Sequence, residues 1–301
     1  MTAEVGIIGY PIGHSISPIF QQAAFDHYKL DIRYHVWEIE PNHLKEAVFN
    51  LRQSKVLGFN VTVPYKESIM KELDEITEEA TNIGAVNTVI NQAGTLVGHN
   101  TDGAGFIRAL KEEGEFDPEG KTTLIIGAGG SAKAVAYHLL KNKISHLLLA
   151  NRTHIRAEIL GASLKSLGYE NIEFVSPTGT ELELILSSKS PPDLIVNCTS
   201  LGMVGGPGPT LMAIPAHLIP QSSLVCDLVY NPRLEVAWQG ELQRARQARD
   251  QPPYFWLDKA IHEAEIQEVR HMSIPVQRKM LLMMDDIAPY MQLGRGQTIP
   301  K

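Results

Sequence analysis

The amino-acid sequence predicts an α/β protein of two domains, and three observations carry that reading. The chain has 301 residues, about twice the length of a common single domain. Short apolar runs alternate with helical patterns, the signature of mostly parallel sheets covered by helices. The alternation stops at a polar stretch with Gly114, Pro118 and Gly120 and then begins again, so it falls into two blocks. Composition is that of a globular protein, with 44% hydrophobic and 20% charged residues and a net charge of −7. No lysine/arginine block invites nucleic acid or an anionic membrane. No apolar run approaches the roughly 18 residues of a membrane helix. The opening Met1–Val5 lacks the basic region of a signal peptide, so the expected compartment is the cytoplasm.

The elements follow in order. Val5–Ile8 reads as a strand, Pro18–Tyr28 as a helix and Tyr34–Ile39 as a strand. Asn42 is placed to cap a helix through Leu51, and Leu57–Val61 is the next strand. Ala85–Ile90 and Leu96–His99 flank Asn91–Gly94, which reads as a hairpin turn. A hinge-like helix then runs from Asp102 to about Glu113. Beyond the polar stretch Glu112–Lys121, strands are expected at Thr123–Ile126, Leu147–Ala150, Ile172–Val175, Leu194–Cys198 and Leu224–Leu228. Past Arg233 the sequence is helical and charged. The domains expected are 1–101 with a returning segment at about 237–284, then 102–236, with 285–301 as a loosely ordered tail. The two cysteines, Cys198 and Cys226, are expected to be buried thiols, which excludes a disulfide framework and a cysteine zinc site. The eleven histidines form no HExxH pair, so no metal is expected.

Thr123–Ala134 carries the most informative local signal. Gly127, Gly129 and Ala132 stand in a GxGxxA spacing between a strand and a helix. The first glycine permits the tight turn, the second lets the backbone approach a pyrophosphate, and the small third residue lets helix and strand pack closely. Gly127, Ala128, Gly129, Gly130, Ser131 and Ala132 thus form a candidate phosphate cradle, with backbone N–H groups at the helix start as donors. This makes the second domain a Rossmann-type dinucleotide-binding domain. The next strand ends at Asn151-Arg152-Thr153, where an NAD site would carry Asp or Glu for the ribose hydroxyls. An arginine instead suits a 2′-phosphate, so the expected cofactor is NADP.

Further segments resemble one family, the shikimate dehydrogenases. Gly9–Pro18, containing His14-Ser15-Ile-Ser17-Pro18, is similar to the family's GxPxxHSxSP loop. Asn60-Val-Thr62-Val-Pro64-Tyr-Lys66 resembles its NVTxPxK segment. Ile83–Thr88 and Asn100–Gly103 resemble IGAVNT and NTDG, and Asn197–Met203 and Asp227–Pro232 resemble NxTxxGM and DxxYxP. With the glycine loop, the co-linear matches run from residue 9 to about 232. The resemblance implies an α/β protein with a substrate domain, an NADP domain and a cleft between them. It assigns Ser15, Ser17, Asn60, Thr62, Asn87 and Tyr230 to the substrate, and Thr199 and Met203 to the cofactor. Met203 would pack on the nicotinamide.

The chemistry fits these residue types. Oxidising a secondary alcohol needs a hydride acceptor beside the carbinol carbon and a group that takes the hydroxyl proton. Lys66 follows a strand, at the edge where open α/β sheets bind ligands, and Asp102 begins the helix into the second domain. Together they form the candidate catalytic pair; singly, Lys66 reads as a surface lysine and Asp102 as a helix cap. His14 lies beside the pair without a direct role. Short hydroxyl and amide side chains suit a polyol.

The C-terminal segment departs from the family's pattern. Where its GxxMLxxQ stretch would place a substrate-binding glutamine, the register falls on His262 or Glu263, with Gln267 one helical turn further. The expected function is NADP-dependent reduction of 3-dehydroshikimate to shikimate on the route to aromatic amino acids, by a monomer or homodimer. A quinate-active paralogue and a catalytically silent NADP-binding module are the alternatives.

Overall fold

The computed structural model describes residues 2–229 apart from 14, 113, 204–205 and 209–210. Expectations for His14, Tyr230, the 237–284 segment, the His262, Glu263 and Gln267 alternatives and the 285–301 tail lie outside the described residues. Two compact units divide the described chain between Thr101 and Asp102.

The first unit runs β1 (Ala3–Gly9), α1 (Ser17–His27), β2 (Ile32–Glu38), α2 (Leu44–Asn50), β3 (Val56–Val61), β4 (Glu75–Ile76), α3 (Glu78–Ile83), β5 (Thr88–Gln92) and β6 (Thr95–His99). Its six strands form one sheet in the order β2-β1-β3-β5-β6-β4. β1 pairs in parallel with β2 and β3, while β5 is antiparallel to both β3 and β6. The sheet is therefore a parallel half joined to a hairpin. Ala93 and Gly94 turn that hairpin with φ of 54° and 101°, the geometry a two-residue turn requires. Successive residues of a strand face opposite sides, and both sides are covered. Ile8, Phe59, Val61 and Val89 pack with Leu44 and Val48 of α2. Val5, Ile7 and Tyr34 pack with Ala23, Ala24 and Phe25 of α1. Asn42 does not cap α2: it lies within a 3-10 turn at Pro41–His43, and α2 starts at Leu44. Pro41 fixes φ at the turn's start and favours this tighter geometry.

The second unit runs α4 (Asp102–Glu112), β7 (Thr122–Ile126), α5 (Gly130–Lys141), β8 (His146–Ala150), α6 (His154–Ser166), β9 (Ile172–Val175), α7 (Thr180–Leu186), β10 (Leu194–Asn197) and β11 (Leu224–Asp227). All its strand pairs are parallel, in the order β11-β10-β7-β8-β9. This is the dinucleotide-binding order, in which the chain reverses direction across the sheet at β7 and β10. α5 is almost wholly buried, with Ala132, Ala134, Ala136 and Leu139 all at 0% exposure. α4 lies on α5 at close range. A Cβ at Gly103 would run into the His138 ring and stand 2.5 Å from the Ala134 carbonyl oxygen, so only glycine admits this approach. Cys226 is buried in β11, but Cys198 falls just past β10 and is half-buried rather than buried, because the sheet edge opens into a loop there. No disulfide joins them.

Candidate functional site

In the first unit, strand directions gather the candidate substrate residues at one sheet edge. β1, β3 and β6 end there, and β5, running the other way, begins there. Backbone hydrogen bonds lace the emerging segments together. Tyr10 N–H donates to the Val63 carbonyl at 3.0 Å, Thr62 N–H to that of Ile8 at 3.0 Å and Asn87 N–H to that of His99 at 3.1 Å. Lys66 is held through its backbone and its neighbour. Its carbonyl accepts from Val86 N–H at 2.7 Å. The adjacent Tyr65 is buried, with its hydroxyl donating to the Ile39 carbonyl. The Lys66 side chain is half-buried.

Asn87, only 9% exposed, is the hub of the edge. Its Nδ2 donates to Thr101 Oγ1 at 2.9 Å, and its Oδ1 accepts from Thr101 N–H at 2.9 Å and Thr88 Oγ1 at 3.0 Å. Asn60 joins this network from the next strand: its Oδ1 accepts from the Tyr34 hydroxyl at 2.8 Å, and its Nδ2 faces Thr88 Oγ1 at 3.4 Å. Asn60 is thus engaged within the sheet. Tyr34 and Thr101, absent from the sequence-based candidates, are parts of the same arrangement; Tyr34 lies in no motif, and Thr101, though inside the Asn100–Gly103 segment, shows its role only through the contacts that bring it there. Ser15 Oγ accepts from Ser17 N–H at 3.3 Å, in the turn that starts α1. The Thr62 and Ser17 hydroxyls make no hydrogen bond of their own among the described residues, which leaves short polar groups at the edge. Burial holds the His99 imidazole below its ordinary pKa.

Asp102 follows Thr101 directly and is the first residue of α4, inside the helix rather than its cap. A carboxylate in a helix's first turn is favoured by the helix dipole.

In the second unit, the glycine turn leaves β7 at the sheet's carboxyl edge beside the end of β10. Gly127 has φ of 117°, and a Cβ there would stand 3.0 Å from the backbone of Cys198. A Cβ at Gly129 would meet nothing within 4 Å, so the side facing away from the turn is open. Gly129 is also the cap of α5, and no side chain caps that helix. The start of α5 therefore suits a phosphate, and Ala132, fully buried, sets the close packing of helix on strand. At the end of β8, Asn151 Nδ2 donates to the Thr153 carbonyl at 2.8 Å, shaping the loop around Arg152. Arg152 is exposed and makes no side-chain hydrogen bond or ion pair among the described residues. Arg156 stands in the first turn of α6, with its N–H on the Thr153 carbonyl at 3.0 Å. This second guanidinium at the same end was not among the candidates, though its spacing from Arg152 is legible. These residues fit a dinucleotide carrying a 2′-phosphate.

The loop after β10 is tied down. Asn197 Oδ1 accepts from Thr199 N–H at 3.0 Å and from its hydroxyl at 2.7 Å. Asn197 Nδ2 donates to Asp227 Oδ1 at 2.9 Å. Burial raises the Asp227 carboxyl from 3.8 to about 6, against the hydrogen bonds from Val229 N–H and Asn197. Burial likewise pushes the Cys226 thiol up to about 12, so it carries no thiolate chemistry at neutral pH. Met203 follows in the same loop, half-buried. No three His, Cys, Asp or Glu side chains converge as a metal site, and no helix is long and apolar enough to cross a membrane, among the described residues.

Comparison with known proteins bears on both units. The model of the shikimate dehydrogenase substrate binding domain matches residues 7–89, and that of shikimate / quinate 5-dehydrogenase matches residues 109–212. The shikimate dehydrogenase (NADP(+)) of Alkaliphilus metalliredigens is 42% identical over 233 residues, 77% of this chain and 79% of that one. The crystal structure of shikimate 5-dehydrogenase from Thermus thermophilus in complex with NADP(H) and shikimate is similar, with a TM-score of 0.70 and 27% identity over 93% of this chain and 99% of that one. Quinate dehydrogenase from Corynebacterium glutamicum in complex with NAD is similar at a TM-score of 0.69 and 27% identity, covering 93% of each chain.

Proposed function

The chain belongs to the shikimate dehydrogenase family, and on that premise we propose how it acts as an NADP-dependent shikimate dehydrogenase. It interconverts 3-dehydroshikimate and shikimate on the route to aromatic amino acids. NADP supplies hydride exchange at the carbinol carbon when bound. The Gly127–Ser131 turn and the start of α5 hold its pyrophosphate, Arg152 with Thr153 and Arg156 its 2′-phosphate, and Thr199 and Met203 its nicotinamide end. Ser15, Ser17, Thr62 and Asn87 bind the polyol and its carboxylate, with Asn60 holding Asn87's neighbour Thr88 in place.

Lys66 is the proton-transfer group. In reduction its ammonium gives a proton to the substrate oxygen as hydride reaches the carbon, and in oxidation the amine takes that proton back. Asp102 is its partner, keeping the pair near neutrality. One observation supports the assignment: the segment bearing Lys66 and the residue before Asp102 are both hydrogen-bonded to Val86-Asn87. The Lys66 carbonyl holds Val86 N–H, the adjacent Asn87 holds Thr101 through two hydrogen bonds, and Thr101 is bonded to Asp102. We read the enzyme as a cytoplasmic monomer or homodimer without a nucleic-acid or membrane partner.

The test is spectrophotometric. Purified protein should reduce NADP with shikimate much faster than with quinate, and much faster than it reduces NAD with either acid. Turnover of quinate at the higher rate would assign it to the quinate branch. NADP binding without turnover of either acid would make it a silent binding module.

A further inference from the structure

We infer that Asp227 and Asn197 are a positioning pair which sets the loop from Cys198 to Met203 against the Gly127 turn and thereby sets NADP affinity; this rests on the reading that the turn holds the dinucleotide. Neither side chain is assigned a contact with substrate or cofactor, and both are shielded at the carboxyl edge of the sheet. Asn197 is 5% exposed and closes β10, while Asp227 closes β11 beside it.

The argument is one of donors and acceptors. A carboxylate only accepts, so the Asn197 group facing it must be the amide nitrogen. That choice turns the Asn197 oxygen toward Thr199, where it accepts from both the N–H and the hydroxyl. The hydroxyl oxygen of Thr199 in turn accepts from Leu201 N–H at 3.1 Å. Orientation thus passes in one direction, from Asp227 through Asn197 and Thr199 to the loop. The loop's backbone sits directly on the glycine turn, with Cys198 C and O 3.0 Å and Thr199 N 3.3 Å from where a Gly127 Cβ would be. A change in the loop's path therefore moves the surface that meets the cofactor. Among the described residues no Lys, Arg or His pairs with Asp227. Burying a carboxylate without a cation is unfavourable for folding, as its raised pKa of about 6 shows. A fold that keeps such a group at a ligand-binding edge points to a use other than stability.

The experiment uses the full-length chain and three variants: Asp227→Asn, Asn197→Asp and the two combined. Asp227→Asn replaces a group that only accepts with an amide that can also donate, so Asn197 is no longer forced into one orientation. The double variant restores the order, because an amide at 227 can donate to a carboxylate at 197 that still accepts both bonds from Thr199. NADPH affinity is read by fluorescence titration, with kcat and KM for both substrates and the unfolding midpoint at pH 7.5. Asp227→Asn should weaken NADPH about tenfold, through KM for NADP with kcat and shikimate KM changing by less than about threefold. Its unfolding midpoint should not fall. The double variant should bind NADPH within about threefold of wild type, even where a single variant folds poorly. Wild-type affinity in Asp227→Asn, or a double variant no better than the weaker single one, would overturn the pair. If the wild-type chain itself bound no NADPH, the dinucleotide reading would fall and this inference with it.

Discussion

Replacing Gly127 by alanine tests the cofactor turn through two separate strains. Gly127 has φ of 117°, a region in which a residue with a Cβ is strained by about 1–3 kcal/mol. The new Cβ would also stand 3.0 Å from the carbonyl carbon and oxygen of Cys198, which are backbone atoms and cannot swing aside. Overpacking of this kind costs about another 1–3 kcal/mol. The sum is at least about 2 kcal/mol; the unliganded turn relieves it by shifting off its cofactor-holding path, and regaining that path on binding costs as much, which at about tenfold per 1.4 kcal/mol weakens NADPH binding about 30-fold or worse. Gly168→Ala is the control: its φ is 92°, but nothing lies within 4 Å of its Cβ position, and it is remote from the turn. That variant should lose about 1 kcal/mol of stability and keep its NADPH affinity. Fluorescence titration with NADPH and thermal unfolding measure both. Gly127→Ala with affinity within twofold of wild type would refute the reasoning.

Arg152→Ala should weaken NADP by about tenfold or more, since a charge-assisted bond is worth about 1.5–3 kcal/mol, and leave NAD efficiency unchanged; equal use of both cofactors by the wild type would remove the basis for this. Asn87→Ala strands Thr101 N–H and its hydroxyl, so it should destabilise the first unit by about 1–3 kcal/mol and raise KM for shikimate more than KM for NADP, as steady-state kinetics and denaturant unfolding will report. The raised pKa of Asp227 has a signed consequence for stability. Between 3.8 and about 6 the folded chain holds a proton that the unfolded chain has released, so this group's contribution falls as pH rises through that window. The difference amounts to about 3 kcal/mol, and Asp227→Asn should flatten the wild-type profile across that range in urea unfolding.

The second unit is the more legible of the two. Its strands are short apolar runs in a repeating βα order, and Gly127, Gly129 and Ala132 stand at the positions where a turn, an open approach and a close helix contact occur. In the first unit the parallel strands are readable, but the antiparallel half changes how the edge is built. Ala85 and Val86 read as the start of a strand because they are apolar, whereas β5 begins only at Thr88, after α3. α3 spans six residues, too few for helical periodicity to show, although Thr77 caps it by accepting from Ala80 N–H. Asn42 resembles a cap because Asn often caps, yet Pro41 converts its position into a 3-10 turn. The candidates Ser15 and Ser17, Thr62 and Lys66, and Asn87 lie on three separate segments, and only the strand directions bring them to one edge. Tyr34 lies in no motif, and Thr101, Asn197 and Asp227, though each stands in a motif segment, act on their neighbours. Their roles follow from hydrogen bonds across the sheets, which no local pattern encodes.

The most direct measurement is turnover of shikimate with NADP by Lys66→Ala beside the wild type, followed across pH with NADPH affinity determined on the same samples. The account predicts that NADPH binds nearly unchanged while kcat falls by about 10²–10⁴-fold, the span of a lost general acid/base. Near wild-type turnover across the pH range, with shikimate still consumed, would contradict it and remove Lys66 from the proton-transfer step.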